Sequence, residues 1–199
     1  QLPVDDFTRK AAFGSARLSP DGTHLAMTVD TDDGNILTIL ELPSLKLVGS
    51  LKFNGSNVGQ VWWVNNERLV TQVLEWQEGS ELPAYFGELY GVNRDGSKGE
   101  IIFGYRAGQT SKLTTVKTKR NIYAIANFID MLPDDPKHIL ISTSSTGTMT
   151  NPKPGQILRL NVYSGKVKRV MSLPHLSMDV LTDRGGNPRF SIGENAEGD

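Results

Sequence analysis

Apolar and polar residues alternate along this chain in short runs, and polar turns separate the runs. Leu18-Ser19-Pro20-Asp21-Gly22-Thr23-His24-Leu25-Ala26 sets the grammar. Pro20 fixes its own φ, Asp21-Gly22 supplies a reversal, and a strand begins at His24. The same order of polar turn and apolar strand returns at Val64-Asn65-Asn66-Glu67-Arg68-Leu69-Val70 and at Leu132-Pro133-Asp134-Asp135-Pro136-Lys137-His138-Ile139. A weaker copy is Thr182-Asp183-Arg184-Gly185-Gly186-Asn187-Pro188-Arg189-Phe190. Between these copies lies a second set of turns, at Pro43-Ser44, Asp95-Gly96 and Ser164-Gly165, each between two apolar segments. The Asp-Gly pair is a strong hairpin signal.

These marks predict strands near 24–29, 36–40, 46–48, 69–74, 89–92, 101–103, 139–143, 157–162 and 167–171. Strands of four to seven residues with Gly, Asp and Pro punctuation are a sheet signature, and no apolar stripe at helical spacing is sustained. Residues 1–17 read as an N-terminal arm packed on the first sheet, with Val4-Asp5-Asp6-Phe7 able to open a short capped helix. Residues 113–126 fit two strands or a short helix. The polar stretches 75–88, 104–112 and 144–155 read as loops.

From Asp21 to Asn66, Asn66 to Asp135 and Asp135 to Gly185 the spacing is 45, 69 and 50 residues. Four short strands in each such interval is the period of a β-propeller blade with insertions. The expected fold class is therefore all-β: a partial β-propeller with about three four-stranded antiparallel blades and the start of a fourth. The repeats fall roughly at 18–57, 58–126, 127–177 and 178–199. The alternative is a smaller β-sandwich. A blade is covered on both faces, so Trp62 and Trp63 are expected to point to opposite interfaces. An incomplete ring leaves open edges, and self-association through them or partial disorder is the expectation.

Composition narrows the function. The 199 residues carry a formal net charge of -1, and the basic cluster Lys117, Lys119 and Arg120 is too short to change that. No nucleic-acid footprint and no polybasic membrane patch is present. No stretch has the length of a spanning helix. The absence of cysteine excludes disulfides and thiolate metal sites. The chain opens on Gln1 rather than Met, as an exported protein does after loss of its leader or as an excised domain does. A periplasmic or secreted setting is the expectation, with the cytoplasm open. Asn54-Gly55-Ser56 matches a glycosylation triplet of the kind chance supplies often.

Catalytic chemistry is missing. His24, His138 and His175 lie in separate repeats with no metal-ligand spacing. Asp95-Gly96-Ser97-Lys98-Gly99 lacks the first glycine of a nucleophile elbow and sits on a hairpin, and Ser145-Thr146-Gly147 fails likewise. The pairs Asp5/Asp6, Asp32/Asp33 and Asp134/Asp135 are turn and cap residues, not carboxylates facing across a pocket. No phosphate-binding glycine loop occurs. Catalytic, cofactor-binding and metal residues are all expected to be none. Trp76, amid Glu75, Gln77, Glu78 and Glu81, either packs a long loop, the reading preferred, or is a better candidate than Trp62 and Trp63 for an exposed contact. Arg184 and Arg189 either hold carboxylates at a domain seam or are solvated.

Pro3-Val4-Asp5-Asp6-Phe7, the segment from Leu18 to Ala26, Val61-Trp62-Trp63-Val64-Asn65-Asn66-Glu67-Arg68-Leu69-Val70 and Asp183-Arg184-Gly185-Gly186-Asn187-Pro188-Arg189 together resemble the N-terminal β-propeller of the prolyl oligopeptidase family of serine peptidases, in its bacterial dipeptidyl or acylaminoacyl peptidase-like branch. The resemblance implies a non-catalytic propeller that gates short peptides toward a C-terminal α/β-hydrolase domain, which this chain does not contain. It transfers no substrate-binding residue to a position here. Ser-Pro-Asp-Gly also marks propellers of the TolB and WD-like sort, so a binding or scaffold module with no peptidase is the alternative.

Overall fold

The computed structural model describes residues 12–32, 34–107, 122–145, 154–174 and 179–193. The readings that concern Val4 to Phe7, Asp33, Lys117 to Arg120, His175 and the polar tail from Glu194 lie outside these residues.

Three four-stranded antiparallel sheets follow one another along the chain, each a simple meander. The first holds β1 (Phe13–Leu18), β2 (His24–Thr31), β3 (Gly34–Glu41) and β4 (Lys46–Leu51). The second holds β5 (Ser56–Trp63), β6 (Arg68–Glu75), β7 (Ala84–Asn93) and β8 (Glu100–Phe103). The third holds β9 (Ala124–Met131), β10 (His138–Ser145), β11 (Gln156–Asn161) and β12 (Val167–Ser172). A hairpin of β13 (Asp179–Thr182) and β14 (Pro188–Ile192) begins a fourth. This is the unclosed all-β array expected of a partial propeller.

Two differences from the sequence reading stand out. Phe13–Leu18 is a strand paired to β2, so the segment read as an arm supplies the first strand of the first sheet. The stretch read as a loop over 75–88 is a loop only between β6 and β7, because Ala84 to Glu88 already belong to β7. In both places a register irregularity, between Phe13 and Ala16 and between Gln72 and Leu74, breaks the period of two that marks a strand.

The turns form as their residues dictate. The Asp21 carboxylate accepts from the Thr23 amide at 3.0 Å and from the hydroxyls of Ser19 and Thr23 at 2.6 and 2.8 Å. Gly22 follows with φ of 71°, a conformation that costs glycine little. Asn65 accepts from the amides of Glu67 and Arg68, Asp135 from that of Lys137, Asn161 from those of Tyr163 and Ser164, and Asp183 from those of Gly185 and Asn187. A short side chain that mimics a backbone turn is the reason these positions are Asp or Asn.

Alternation then buries both faces of the middle sheet. In β6, Leu69 faces the first sheet and its neighbour Val70 faces the third. Trp63 packs with Ala26, Leu37 and Ile39 of the first sheet, while Trp62 stacks on Phe128 of the third with ring centroids 4.5 Å apart. The two tryptophans do point to opposite seams. The seam between the first two sheets holds eight buried apolar residues. Each such side chain stabilises by about 1.5–3 kcal/mol, against about 1 kcal/mol for a hydrogen bond. Apolar contact therefore supplies the seam's energy, and polar contacts set its register.

Most of those polar contacts gather at one end of the sheets, here named the turn end, where β1 meets β2 and β5 meets β6. The Asp21 amide donates to the Asn66 side chain of the next sheet at 3.1 Å, and the Trp63 indole N–H donates to the Arg17 carbonyl at 3.0 Å. Asn65 donates to the Pro136 carbonyl at 2.6 Å, and Thr182 donates to Asp130. Buried Arg68 sends Nε and Nη2 to the Val162 carbonyl at 3.1 and 2.8 Å, and Nη1 to the Lys98 carbonyl and to Asn93. Each sheet is clasped to its neighbour there.

The turn carboxylates make the fold acid-sensitive. Hydrogen bonds from Ser19 and Thr23 hold Asp21 near a pKa of about 2. Burial pulls Asp135 up, but bonds from His138, the Lys137 amide and Arg159 outweigh it and leave it at about 2. Bonds from Asn187 and Arg189 place Asp183 well below the usual range. A carboxylate depressed on folding adds stability above its unfolded pKa, and that stability is lost as pH falls through the folded pKa. The urea midpoint should thus be flat near neutrality and fall between about pH 4 and pH 2. Asp135→Asn should make that fall shallower. A midpoint that stays flat down to about pH 2 would contradict the assignment.

Candidate functional site

The opposite end of the sheets, the loop end, carries the connections between β2 and β3, β6 and β7, and β10 and β11, and those from one sheet to the next. Two grooves open there on either side of the point where β6 ends.

The first groove, about 420 Å³, lies between the start of the first sheet and the β6–β7 loop. Phe13, Trp76, Leu82 and Pro83 form its apolar wall, and Asp30, Asp32 and Glu81 form its rim. Trp76 is 52% exposed and Leu82 74%. Among the described residues, no basic side chain lines this groove. Its floor is rigid, since buried Asn57 accepts from the Asn35 amide at 2.7 Å and ties the second sheet to the β2–β3 turn. An indole face beside carboxylates suits a cationic, partly apolar group.

The second groove, about 330 Å³, is lined by Glu75, Phe86, Tyr105, Ile122, Tyr123 and Ala124. Behind it the buried Glu88 carboxylate takes the Arg106 amide at 2.9 Å and the Arg106 Nε at 2.7 Å, with Nη2 adding a further contact. The same guanidinium reaches Glu75 at 2.5 Å, and Tyr105 donates to Glu75 at 3.3 Å. Its bonds to Glu88 raise the Arg106 pKa further. A carboxylate held in this way by arginine is a structural anchor for the chain leaving β8, not a free acid or base. Tyr85 donates to the Ala126 carbonyl at 2.6 Å, and burial raises its phenol well above the ordinary value.

The candidates from sequence fall into place. Trp76 lies exposed on the wall of the first groove. His24 begins β2, tilted against Trp63, and His138 begins β10 with its Nδ1 2.8 Å from Asp135. They are strand residues, and among the described residues no group of three or more His, Cys, Asp or Glu is placed to hold a metal ion. Ser97 donates its amide to Asp95 within the β7–β8 hairpin. Arg189 grips Asp183 inside its own turn, with Nε and Nη2 at 2.9 and 2.7 Å, rather than a carboxylate at a domain seam. The Glu88–Arg106 anchor was not foreseen. Its one sequence signal is a lone Glu where the strand pattern of β7 calls for an apolar residue.

No protein-family model and no curated protein matches the chain. Solved structures do resemble it. An oligogalacturonate lyase in complex with manganese aligns with a TM-score of 0.55 at 11% identity, over 89% of this chain and 46% of that one. The acylaminoacyl peptidase of Pyrococcus horikoshii gives 0.48 at 14%, over 86% and 26%. TolB from Acinetobacter baumannii gives 0.44 at 13%, over 87% and 36%. The chain spans less than half the length of each. At such identities the likeness concerns the fold alone. The chain is thus an all-β, propeller-like domain of unclosed sheets, and it shows no catalytic signature among its described residues. No helix among those residues is long and apolar enough to cross a membrane.

Proposed function

We propose that this chain is the non-catalytic propeller portion of a serine peptidase, and that its loop end selects short peptides on their way to a C-terminal α/β-hydrolase domain. The observation that carries the reading is the first groove. Exposed Trp76 and Leu82 stand beside Asp30, Asp32 and Glu81 on the loop end of the sheets. Loops on a rigid scaffold are where recognition residues concentrate. The peptides expected there carry lysine, arginine or a free amino group. The sequence resemblance supports the peptidase part, and the groove supports the peptide part.

Kinetics on the intact polypeptide test it. Trp76→Ala should raise KM for short basic peptides about fivefold with kcat little changed, since a cation over an indole is worth about 1 kcal/mol. Acidic peptides should be unaffected. An unchanged KM for basic peptides would overturn the selecting role. If the intact polypeptide takes no label from a serine-directed phosphonate yet still binds the peptides, the second reading holds: a binding module of the TolB or WD-like sort. The same groove, which needs no hydrolase to bind, is what favours that reading.

A further inference from the structure

Asn54-Gly55 is the one Asn-Gly pair in the sequence, and it sits in the connection from β4 to β5 at the loop end. Both residues are exposed. Gly55 has φ of 78°, and no atom lies within 4 Å of the place a Cβ would occupy. Among the described residues, no hydrogen bond holds the Asn54 side chain or the Gly55 amide. The carboxamide can therefore rotate over the next peptide, and glycine lets that peptide turn to meet it.

Other asparagines lack this combination. Asn35 precedes Ile36 and buried Asn57 precedes Val58, so a β-branched neighbour shields the following amide nitrogen. Asn65 and Asn161 spend their side-chain oxygens on backbone amides. Asn187 precedes a proline, which has no amide N–H. The Asp21-Gly22 and Asp95-Gly96 pairs are held as well. Asp21 accepts from Ser19 and Thr23, and Asp95 accepts from the Ser97 amide. An ionised carboxylate is also a poorer electrophile than a carboxamide.

We propose that Asn54 is a site of spontaneous deamidation in the folded protein. The Gly55 nitrogen gives its proton to hydroxide and attacks the Asn54 Cγ. The new N–C bond closes a cyclic imide as the carboxamide C–N bond breaks, and ammonia leaves with a proton from water. Water then opens the imide. Cleavage at the side-chain carbonyl leaves an aspartyl residue in an ordinary backbone. Cleavage at the main-chain carbonyl routes the backbone through the side chain and lengthens it by a methylene. Either product replaces a neutral carboxamide by a carboxylate at the loop end, which already carries Asp30, Asp32 and Glu81.

Incubation of the folded, intact polypeptide at mildly alkaline pH tests this, read by peptide mass spectrometry and by labelling with an isoaspartyl methyltransferase. The mass gain from exchanging ammonia for water should appear at Asn54 about tenfold faster than at Asn35 or Asn57. It should quicken as pH rises, because the attack needs the deprotonated amide, and methyl label should accumulate with it. Asn54→Gln alters an exposed side chain and should remove both signals with unchanged far-ultraviolet dichroism. The urea-unfolded chain is the reference. Loss of the Asn54 amide in the unfolded chain but not in the folded one would overturn the proposal, since the turn would then hold the carboxamide away from the Gly55 nitrogen. Equal rates at Asn54, Asn35 and Asn57 in the folded protein, or a sugar on Asn54 in protein from its native source, would overturn it too.

Discussion

Arg68→Leu should destabilise the domain by about 4 kcal/mol, because it strips bonds from buried groups without offering them water. Arg68 is 1% exposed and lies within the second sheet, yet its strongest bonds leave that sheet for the Val162 carbonyl of the third. Nη1 holds the Lys98 carbonyl and Asn93 across the β7–β8 hairpin, and the guanidinium lies 5.1 Å from the centre of the Tyr163 ring. Burial lowers its pKa and Glu100 opposes the shift, but an arginine stays protonated in either case. Leucine leaves two carbonyls unsatisfied and the hairpin unsupported. Lysine reaches one acceptor at best and should recover less than half of the loss. Urea unfolding of the three proteins checks both statements, and an Arg68→Leu loss below about 1 kcal/mol would show the clasp to be decorative.

Gly87→Ala should be nearly as costly, at about 3–4 kcal/mol, through a different mechanism. Gly87 adopts φ of 91°, which an L side chain resists. A Cβ there would lie 2.3 Å from the Ile125 Cα and 2.9 Å from the Ala124 carbonyl oxygen. Both are backbone atoms of β9, so no rotamer relieves the clash and the second seam must open. The effect reaches the loop end, since Phe86 lines the second groove and Glu88 anchors Arg106. Calorimetry should show the loss as a lower midpoint. A variant as stable as the parent would mean that the two sheets are not in contact at Gly87.

Much of this fold was legible because its turns are written in side chains that act locally. Asp21, Asn65, Asp135 and Asp183 each bond to amides within four residues, so spacing alone revealed the repeat. Trp62 and Trp63 were legible for a similar reason, because strand parity is a local rule. β1 and the first half of β7 were not, since an irregular register and Gly87 erase the alternation there. The loop end was the least legible. Trp76 could be singled out by its polar surroundings, but the groove needs Phe13 and Asp30 from another sheet. Glu88 and Arg106 are 18 residues apart, and only folding brings them together.

Hydrogen–deuterium exchange with and without a short lysine-containing peptide tests the central claim most directly. If the turn end clasps the sheets and the loop end recognises peptide, amides around Asp21, Asn66 and Asp135 should be protected in both states. Added peptide should slow exchange in the segment from Trp76 to Pro83 and leave the turn end unchanged. Protection that appears at the turn end, or nowhere, would contradict the account.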